Sequence, residues 1–469
     1  MDVESSPPPL SQRERGDRLY KDEYRNMGLA LWVARALGST ILGILIFLGF
    51  LTLLVVNNFS SKLFSADFYT RILNEQDVYN RIYDEVLLGD RLTSDTRGLL
   101  GDIQLVTHEE IVRLLREIIT PEYLQGQVQE NIHRFIDYLN EDSDRLELYV
   151  ELGPPLAKMK PALFDFIEQK IDEVKLVEPD PNKGPLEQLV EAQGLAQSLF
   201  SDLSQGRVPQ SIPSVTAIPE PFRADLFDAL FTGLLNEQFL DEPVRQSLLL
   251  SSQSMEDALV AGDTHGFLKQ AARAVLGPVI DDGVADFRRE LALDSQDRIN
   301  LISVMARENP EITEESLRAE VANFRDSVNR IRTLGTTTGL AVVIGGAALM
   351  GLIHLPSLSN ALRWPGLTLL LTGLVLYVLG QILEATLPDR MMSFIDRQLI
   401  DRSVEETSGI PPSAVDLFRD VLYSFGQQFT EGMADPALVL IIIGTVLFSG
   451  SFVVFAARSR LPALPWLRA

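Results

Sequence analysis

Four long apolar segments interrupt an otherwise mixed pattern of hydrophobic and polar residues along the chain. The first, residues 36–56, carries no charge over 21 residues after Arg35, which is close to the roughly 20 residues that cross a bilayer as a helix. The other three are residues 334–355, 366–387 and 437–457. The pattern predicts an integral membrane protein with four transmembrane helices.

The first apolar segment has the features of a signal anchor that is not cleaved. Its apolar core of 21 residues is longer than the roughly 7–15 residues of a signal peptide, and no convincing A-x-A cleavage site follows it. Basic residues cluster before this segment, whereas only Lys62 and Arg71 follow it closely. Because basic residues favour the cytoplasmic side of a membrane, we expect the N-terminus in the cytoplasm.

Four spans then return the C-terminus to the cytoplasm, and two features of the chain agree with that topology. Arg458, Arg460 and Arg468 follow the last span without an acidic neighbour. Tryptophan side chains prefer membrane interfaces, and those of this chain fall on the predicted cytoplasmic side: Trp32, Trp364 and Trp466. Without organelle-type targeting, we expect a multi-pass protein of a prokaryotic plasma membrane, with its main domain extracytoplasmic.

The region between the first two spans shows mostly helical periodicity. Thr107 and Glu110 have the spacing of a capping box, and apolar stripes with spacings of three and four residues follow them. In residues 145–152 polar and apolar side chains alternate instead, which predicts a strand, and residues 214–218 are the best candidate for its partner. The predicted fold is mainly α: four transmembrane helices and a large, mostly helical extracytoplasmic domain, with one short β element near 145–152.

A proline-rich connection, residues 205–222, interrupts the predicted extracytoplasmic domain. Four prolines punctuate it, and proline clusters of this kind mark loops and domain boundaries. We therefore expect two helical regions, residues 57–204 and 223–333. The alternative is a single domain in which the connection is a long ordered loop.

Two amphipathic stripes flank the membrane. Residues 313–333 carry one that runs directly into the second span, which predicts a single long helix serving as a stem. A second stripe lies in residues 413–430. We expect the two helices to pack together as an extracytoplasmic stalk; the alternative is that each covers a different part of the main domain. The stem stripe consists of Leu317, Val321, Phe324, Val328 and Ile331, and the second of Val415, Phe418, Leu422, Phe425 and Phe429.

These patterns give a complete division of the chain. The predicted segments are a disordered cytoplasmic tail (1–35), span 1 (36–56), helical region A (57–204), the proline-rich connection (205–222), helical region B with its stem (223–333), span 2 (334–355), a cytoplasmic turn (356–365), span 3 (366–387), an extracytoplasmic loop with its amphipathic helix (388–436), span 4 (437–457) and a cytoplasmic tail (458–469).

Charge and composition restrict the classes of partner. The chain has a formal net charge of −24 and no cysteine, so disulfides and thiolate chemistry are excluded. Residues 57–333 alone hold 27 basic and 49 acidic residues. A surface this acidic repels polyanions, so nucleic acid is excluded as a partner. We interpret the charge chiefly as a means of keeping the domain soluble.

No catalytic or cofactor-binding motif is present in the extracytoplasmic region. The sequence lacks H-E-x-x-H, G-x-S-x-G, Walker and dinucleotide-binding patterns. Asp142 and Asp144, with Glu147, form an acidic cluster but lack the glycine and the final glutamate of an EF-hand loop. We keep Asp142 and Asp144 only as weak functional candidates, and we predict no catalytic residue, cofactor or metal site.

Two ionisable residues lie within the predicted spans, Glu384 and His354, and such residues are functional candidates by default. Because spans 2 and 3 are antiparallel, we expect Glu384 near the outer end and His354 near the inner end. Most of the bilayer would separate them, so they cannot form a relay. The spans also carry small residues at spacings that favour close helix packing: Ala341 with Gly345, Ala347 with Gly351, and Gly38, Gly43 and Gly49 in span 1.

Three functions fit these observations. The first is a non-enzymatic membrane protein whose acidic helical domain binds or organises a partner at the cell envelope. The second is a subunit of an oligomeric channel or transporter, with a water-filled path lined by Thr336, Thr337, Thr338, Thr368 or Thr372. The third is an exported enzyme whose pocket would hold convergent carboxylates around residues 145–152. Expected partners are the lipid bilayer and a protein partner or a second copy bound through the stem helices.

Overall fold

The computed structural model describes the chain in segments that form two compact units. We call residues 1–68, 322–402 and 422–469 the span unit, and residues 69–321 and 403–421 the acidic unit, because the latter contains 24 basic and 51 acidic residues. The described residues are 12–88, 107–177, 187, 211–235, 241–291, 293–308, 312–355, 357–395 and 411–460.

Both units are mainly helical. The helices are α1 (Gln12–Leu63), α2 (Ala66–Glu75), α3 (Val78–Arg81), α4 (His108–Ile118), α5 (Pro121–Leu139), α6 (Gly153–Glu173), α7 (Glu220–Leu235), α8 (Glu242–Val260), α9 (Thr264–Glu290), α10 (Leu301–Glu308), α11 (Glu314–Ile353), α12 (Leu358–Ile395), α13 (Pro412–Thr430) and α14 (Asp435–Arg460). A π-helical turn follows α3 at Ile82–Leu87, and the strands are β1 (Tyr149–Glu151), β2 (Lys175–Val177), β3 (Ser211–Pro213) and β4 (Arg298–Asn300).

The span unit contains the four predicted apolar segments, each on a helix. Four described stretches are long and apolar enough to cross a membrane: Ala34–Leu63, Glu314–Ile353, Leu358–Ser393 and Pro412–Ala456. The prediction of four apolar helices is therefore confirmed. The stem and the second span also form one uninterrupted helix, α11, as the stripe in residues 313–333 predicts.

Two predicted irregular segments are shorter than expected. Helix α1 begins at Gln12, within the tail of residues 1–35 that is predicted to be disordered; the residues after Gln12 are rich in Arg, Glu and Lys, which favour helix. Helix α12 begins at Leu358 and includes Pro365, so most of the predicted turn 356–365 is helical. Pro365 lies inside the helix, where it has no N–H to donate to the carbonyl oxygen of Ala361.

The stem and the 413–430 helix, which are predicted to pack together as a stalk, each carry a stripe that is partly exposed. On the stem, Phe324 and Ile331 remain 54% and 64% exposed. On α13, the rings of Phe425 and Phe429 instead contact Phe68 of α2 and Phe59 of α1, each with centroids 5.2 Å apart. The amphipathic stripe on α13 therefore packs in part on α1 and α2, and the packing of the two stripes as a stalk stays a prediction.

Polar side chains of α1 fix the C-terminus of α13. The Asn58 amide donates to the Phe429 carbonyl oxygen at 3.1 Å, and the Lys62 ammonium donates to the Gln428 carbonyl oxygen at 2.9 Å. The last carbonyls of a helix have no partner within the helix and attract positive charge. Asn58 and Lys62 therefore satisfy carbonyls that would otherwise be buried without a hydrogen bond.

The acidic unit has one described core that spans the predicted boundary. Leu248, Met255 and Leu259 on α8 are fully buried and cluster with Ile171 of α6 and Ile212 of β3. Residues on both sides of the proline-rich connection thus pack together. This arrangement matches the alternative in which the connection lies within one domain.

The strand prediction is correct in part. β1 covers Tyr149–Glu151 within the predicted residues 145–152, but its antiparallel partner is β4, with Tyr149 opposite Asn300. The expected partner, residues 214–218, forms a 3₁₀ turn at Val215–Ala217 because the Ser214 hydroxyl accepts from the Thr216 amide. A local hydrogen bond of this kind competes with pairing in a sheet.

A candidate binding cavity in the acidic unit

An apolar cavity of about 470 Å³ lies in the acidic unit between α5, β1 and the start of α10. This volume falls within the roughly 300–1,000 Å³ that is usual for small-molecule pockets. The lining is almost entirely hydrocarbon and aromatic. The described residues that line it are Leu124, Val128, Ile132, Phe135, Ile136, Leu148 and Val150, together with Tyr69, Leu301, Gln127 and Asn131.

Helix α5 supplies one wall because its apolar residues repeat with a helical period. Leu124, Val128 and Ile132 are four residues apart and therefore lie on one face. The helix starts at a defined position, since the Thr120 hydroxyl accepts from the Tyr123 amide and Pro121 occupies the first turn. The cap and proline thus fix where this apolar face begins.

Strand β1 supplies the opposite wall, and amide side chains of α5 hold it in place. Asn131 accepts from the Tyr149 amide at 3.0 Å and donates to the Tyr149 carbonyl oxygen at 2.9 Å. Gln127 accepts from the Glu151 amide at 2.9 Å. β1 thus bonds to β4 along one edge and to α5 side chains along the other. Its alternation turns Leu148 and Val150 toward the cavity.

Two arginine side chains near β1 pack on the ring of Tyr149. Along the strand, Tyr149 alternates with the residues that line the cavity, so its side chain lies on the opposite face. The guanidinium groups of Arg134 and Arg298 lie 3.7 and 4.6 Å from the centroid of the Tyr149 ring. Each also pairs with a carboxylate, Arg134 with Glu130 and Arg298 with Asp294. Hydrogen bonds, first from the Arg298 backbone amide, lower the pKa of Asp294, so it carries its negative charge at neutral pH.

These contacts define what the cavity can do. Among the described lining residues, Tyr69 alone is titratable, and burial raises the pKa of its phenol, so it stays neutral. None of these described residues is a carboxylate, a histidine or a basic side chain. The cavity can therefore accept apolar groups, whereas general acid–base chemistry needs titratable groups that this lining does not supply.

The acidic candidates Asp142 and Asp144 lie elsewhere, in the turn that follows α5. Both are exposed, and the neighbouring Glu141 has a positive φ of 66°. Within the described ranges, no group of three or more histidine or acidic side chains is arranged to hold a metal ion. The turn reverses the chain direction between α5 and β1, and neither aspartate lines the cavity.

The structure does not bring together the two candidates in the spans. The His354 ring donates from Nδ1 to the Met350 carbonyl oxygen at 2.9 Å and stacks on Trp364, with centroids 5.4 Å apart. Glu384 is half-buried on α12, about 39 Å along the helix from Leu358, which lies close to His354 in sequence.

The threonines named for a transport path do not share one surface. Thr336, Thr337 and Thr338 on α11 are exposed, whereas Thr372 on α12 is buried. Thr368 directs its hydroxyl to the Met350 sulfur at 3.3 Å, inside the packed helices. These side chains therefore do not line a common path through the described span unit.

The sequence predicts two of the elements that form the cavity but not the cavity itself. Sequence reasoning identified the apolar stripe on α5 and the alternation of residues 145–152, but it interpreted the stripe as an ordinary core-facing surface. A usable signal was the pair Gln127 and Asn131, two amide side chains four residues apart beside that stripe. Comparisons with protein-family models, curated proteins and solved structures found no match to this chain.

Proposed function

We propose that this protein is a non-enzymatic integral membrane protein whose acidic unit binds a partner outside the cytoplasm, at the envelope of a prokaryotic cell. The observation that carries the proposal is the apolar cavity between α5 and β1. Its described lining consists mostly of half-buried apolar side chains, which leave room for a ligand between them.

The proposed orientation rests on the charge distribution. Basic residues precede span 1 and follow span 4, so both termini lie in the cytoplasm and the acidic unit lies on the opposite side. The first apolar segment then acts as a signal anchor. The net negative charge of the acidic unit keeps it soluble there.

The other two functions gain no specific support. A channel subunit calls for polar residues along a shared path, and the threonines considered for that role lie on different surfaces of the spans. An enzyme calls for convergent carboxylates near residues 145–152, where the cavity lining is apolar. We therefore develop only the binding function.

Site-specific photocrosslinking in the native cell tests the proposal. A photoreactive amino acid replaces Val128 in the cavity wall; the matched control places it at Leu250, which is 87% exposed on α8 and outside the cavity. We expect a discrete adduct, of protein or lipid mass, from position 128 and not from position 250. Identical adduct patterns from the two positions would contradict binding at the cavity.

A further inference from the structure

We infer that the occupant of the cavity is an acyl chain of a membrane phospholipid. This inference rests on the proposed binding function and names the ligand class. Its first support is the chemistry of the lining, which offers carbon surfaces but few polar groups. The Asn131 amide and the amide oxygen of Gln127 already bond to β1, so these groups hold the wall in place.

A hydrocarbon chain fits such a lining better than a peptide does. A buried peptide needs partners for its backbone N–H and C=O groups, and leaving them unpaired is costly. Peptides often solve this by adding a strand to an open sheet edge. β1 cannot accept one, because β4 occupies one edge and the side chains of α5 occupy the other. An acyl chain has no polar groups to satisfy.

None of the described lining residues is charged, which favours the acyl chain of the lipid, rather than its headgroup, as the part that the cavity binds. Arg134 and Arg298 contact Tyr149, which faces away from the cavity-lining Leu148 and Val150, and both are paired with carboxylates. In the part of the lining that the structure describes, no basic side chain is available to recognise a phosphate or a free carboxylate. The cavity would therefore bind the hydrocarbon chain of the lipid, and the headgroup would remain in water.

The bilayer is the source of this ligand. Tyr69, in the cavity wall, follows the first apolar segment by only 13 residues, so the same chain is anchored in lipid and carries the cavity. Tethering of this kind raises the effective concentration of a ligand that the membrane contains. A free fatty acid has the same hydrocarbon chemistry, and the experiment must distinguish the two sources.

The test uses the full chain in lipid nanodiscs that contain a phospholipid with a photoreactive diazirine in its acyl chain. After irradiation, trypsin releases peptide 117–134, which carries Leu124, Val128 and Ile132, and mass spectrometry quantifies its lipid adduct. We expect labelling of this peptide in addition to the spans. Labelling of the spans alone would overturn the inference.

Two variants and a second probe make the result specific. Val128→Phe adds volume inside the cavity while keeping the wall apolar, and we expect it to reduce labelling of peptide 117–134 at least fivefold. Leu250→Phe is the control and leaves labelling unchanged. Unchanged labelling in V128F would overturn the inference, as would labelling by a diazirine fatty acid but not by the phospholipid. A protein adduct at position 128 in cells, without lipid labelling here, would uphold the proposed function and reject this ligand.

Discussion

The span unit and the acidic unit are both mainly helical, yet their helices approach one another by different means. In the span unit, glycines bring backbones into direct contact. A Cβ atom placed on Gly444 would lie 2.4 Å from the Leu370 nitrogen, and one placed on Gly366 would lie 2.6 Å from the Phe448 nitrogen. In the acidic unit, large apolar side chains such as Leu248 and Met255 fill the space between helices.

The difference follows from the solvent of each unit. Lipid tails are as apolar as leucine, so helices in a bilayer gain little from burying large side chains and rely on close packing of small ones. In water, removal of apolar area is the main driving force, at about 25 cal/mol per Å². Each unit should therefore be most sensitive to a different kind of substitution.

The largest expected effect is that of a truncation in the core of the acidic unit. Leu248→Ala removes a fully buried side chain, and we expect a loss of about 2–5 kcal/mol in the free energy of unfolding. Leu250→Ala, two residues along the same helix, is the exposed control and should cost less than about 0.5 kcal/mol. Urea-dependent proteolysis of the full chain measures both.

The same substitution in the span unit sharpens the comparison. Leu376 on α12 is as well buried as Leu248. We expect Leu376→Ala to cost about half as much as Leu248→Ala, because the transfer of the side chain from water does not contribute within a bilayer. Resistance of the folded spans to SDS reports this loss. Equal losses of stability for Leu248→Ala and Leu376→Ala would contradict the proposed difference between the acidic unit and the span unit.

The reverse change, small to large, should affect the span unit. Gly444→Leu forces α12 and α14 apart, and overpacking of this kind costs about 1–3 kcal/mol or more. Gly450→Leu on the same helix is the control, since no atom lies within 4 Å of a Cβ added there. We expect Gly444→Leu to lower the melting temperature of the protein in detergent and Gly450→Leu to leave it unchanged. Equal shifts for the two variants would argue against direct backbone contact between α12 and α14.

Loss of the hydrogen bond between α1 and the end of α13 should reduce stability by an intermediate amount. Asn58→Leu leaves the Phe429 carbonyl oxygen without its donor at a buried position, which costs about 1–3 kcal/mol. Hydrogen exchange at the C-terminal turn of α13 should become faster. Asn57→Leu makes the same change at the exposed neighbouring position of α1 and serves as control.

The smallest expected effect depends on pH. Burial of Glu110 acts to raise its pKa, but hydrogen bonds from Lys170, at 2.6 Å, and from Thr107 outweigh this, so the net pKa is lowered. A lowered pKa in the folded state adds stability above the unfolded value of about 4.3, and this stability is lost as pH falls through the folded pKa. We expect Glu110→Gln to cost about 1 kcal/mol at pH 7.

The pH series contains its own control. The difference in unfolding free energy between Glu110→Gln and the parent protein should shrink as pH falls below about 4.3, because Glu110 then becomes neutral as well. Chemical denaturation at several pH values measures it. A difference that stays constant down to pH 3 would mean that the charge of Glu110 is not the stabilising feature.

The elements of this fold were largely predictable because their signals are local. The apolar length of the spans, the capping box at Thr107 and the unbroken stripe of α11 each need only neighbouring residues to be recognised. The pairings were not predictable in the same way. Tyr149 pairs with Asn300 across half of the acidic unit, and nothing near either residue specifies the other.

Helix contacts in the span unit show the same limit. The predicted pairs included Gly345, yet a Cβ added there would meet nothing within 4 Å. The glycines of α11 that touch α1 are Gly335, Gly339 and Gly346, which lie on another face. Small residues recur around the whole helix, so their spacing alone could not indicate which face meets a neighbour.

The cavity was not predictable because it depends on two distant segments remaining slightly apart. The stripe of Leu124, Val128 and Ile132 has the same sequence pattern whether it packs in a core or borders a cavity. The distinction comes from β1, which the amides of Gln127 and Asn131 hold at a hydrogen-bonding distance.

The central claim, that the acidic unit binds its ligand outside the cytoplasm, depends on the orientation of the chain, and its lack of cysteine makes that orientation measurable. Single cysteines are introduced at Asp142, an exposed position of the acidic unit, and at Ser459, after the fourth span. Intact cells are then treated with a membrane-impermeant maleimide. We predict labelling of Asp142→Cys in intact cells and of Ser459→Cys only after lysis; the opposite pattern would contradict the account.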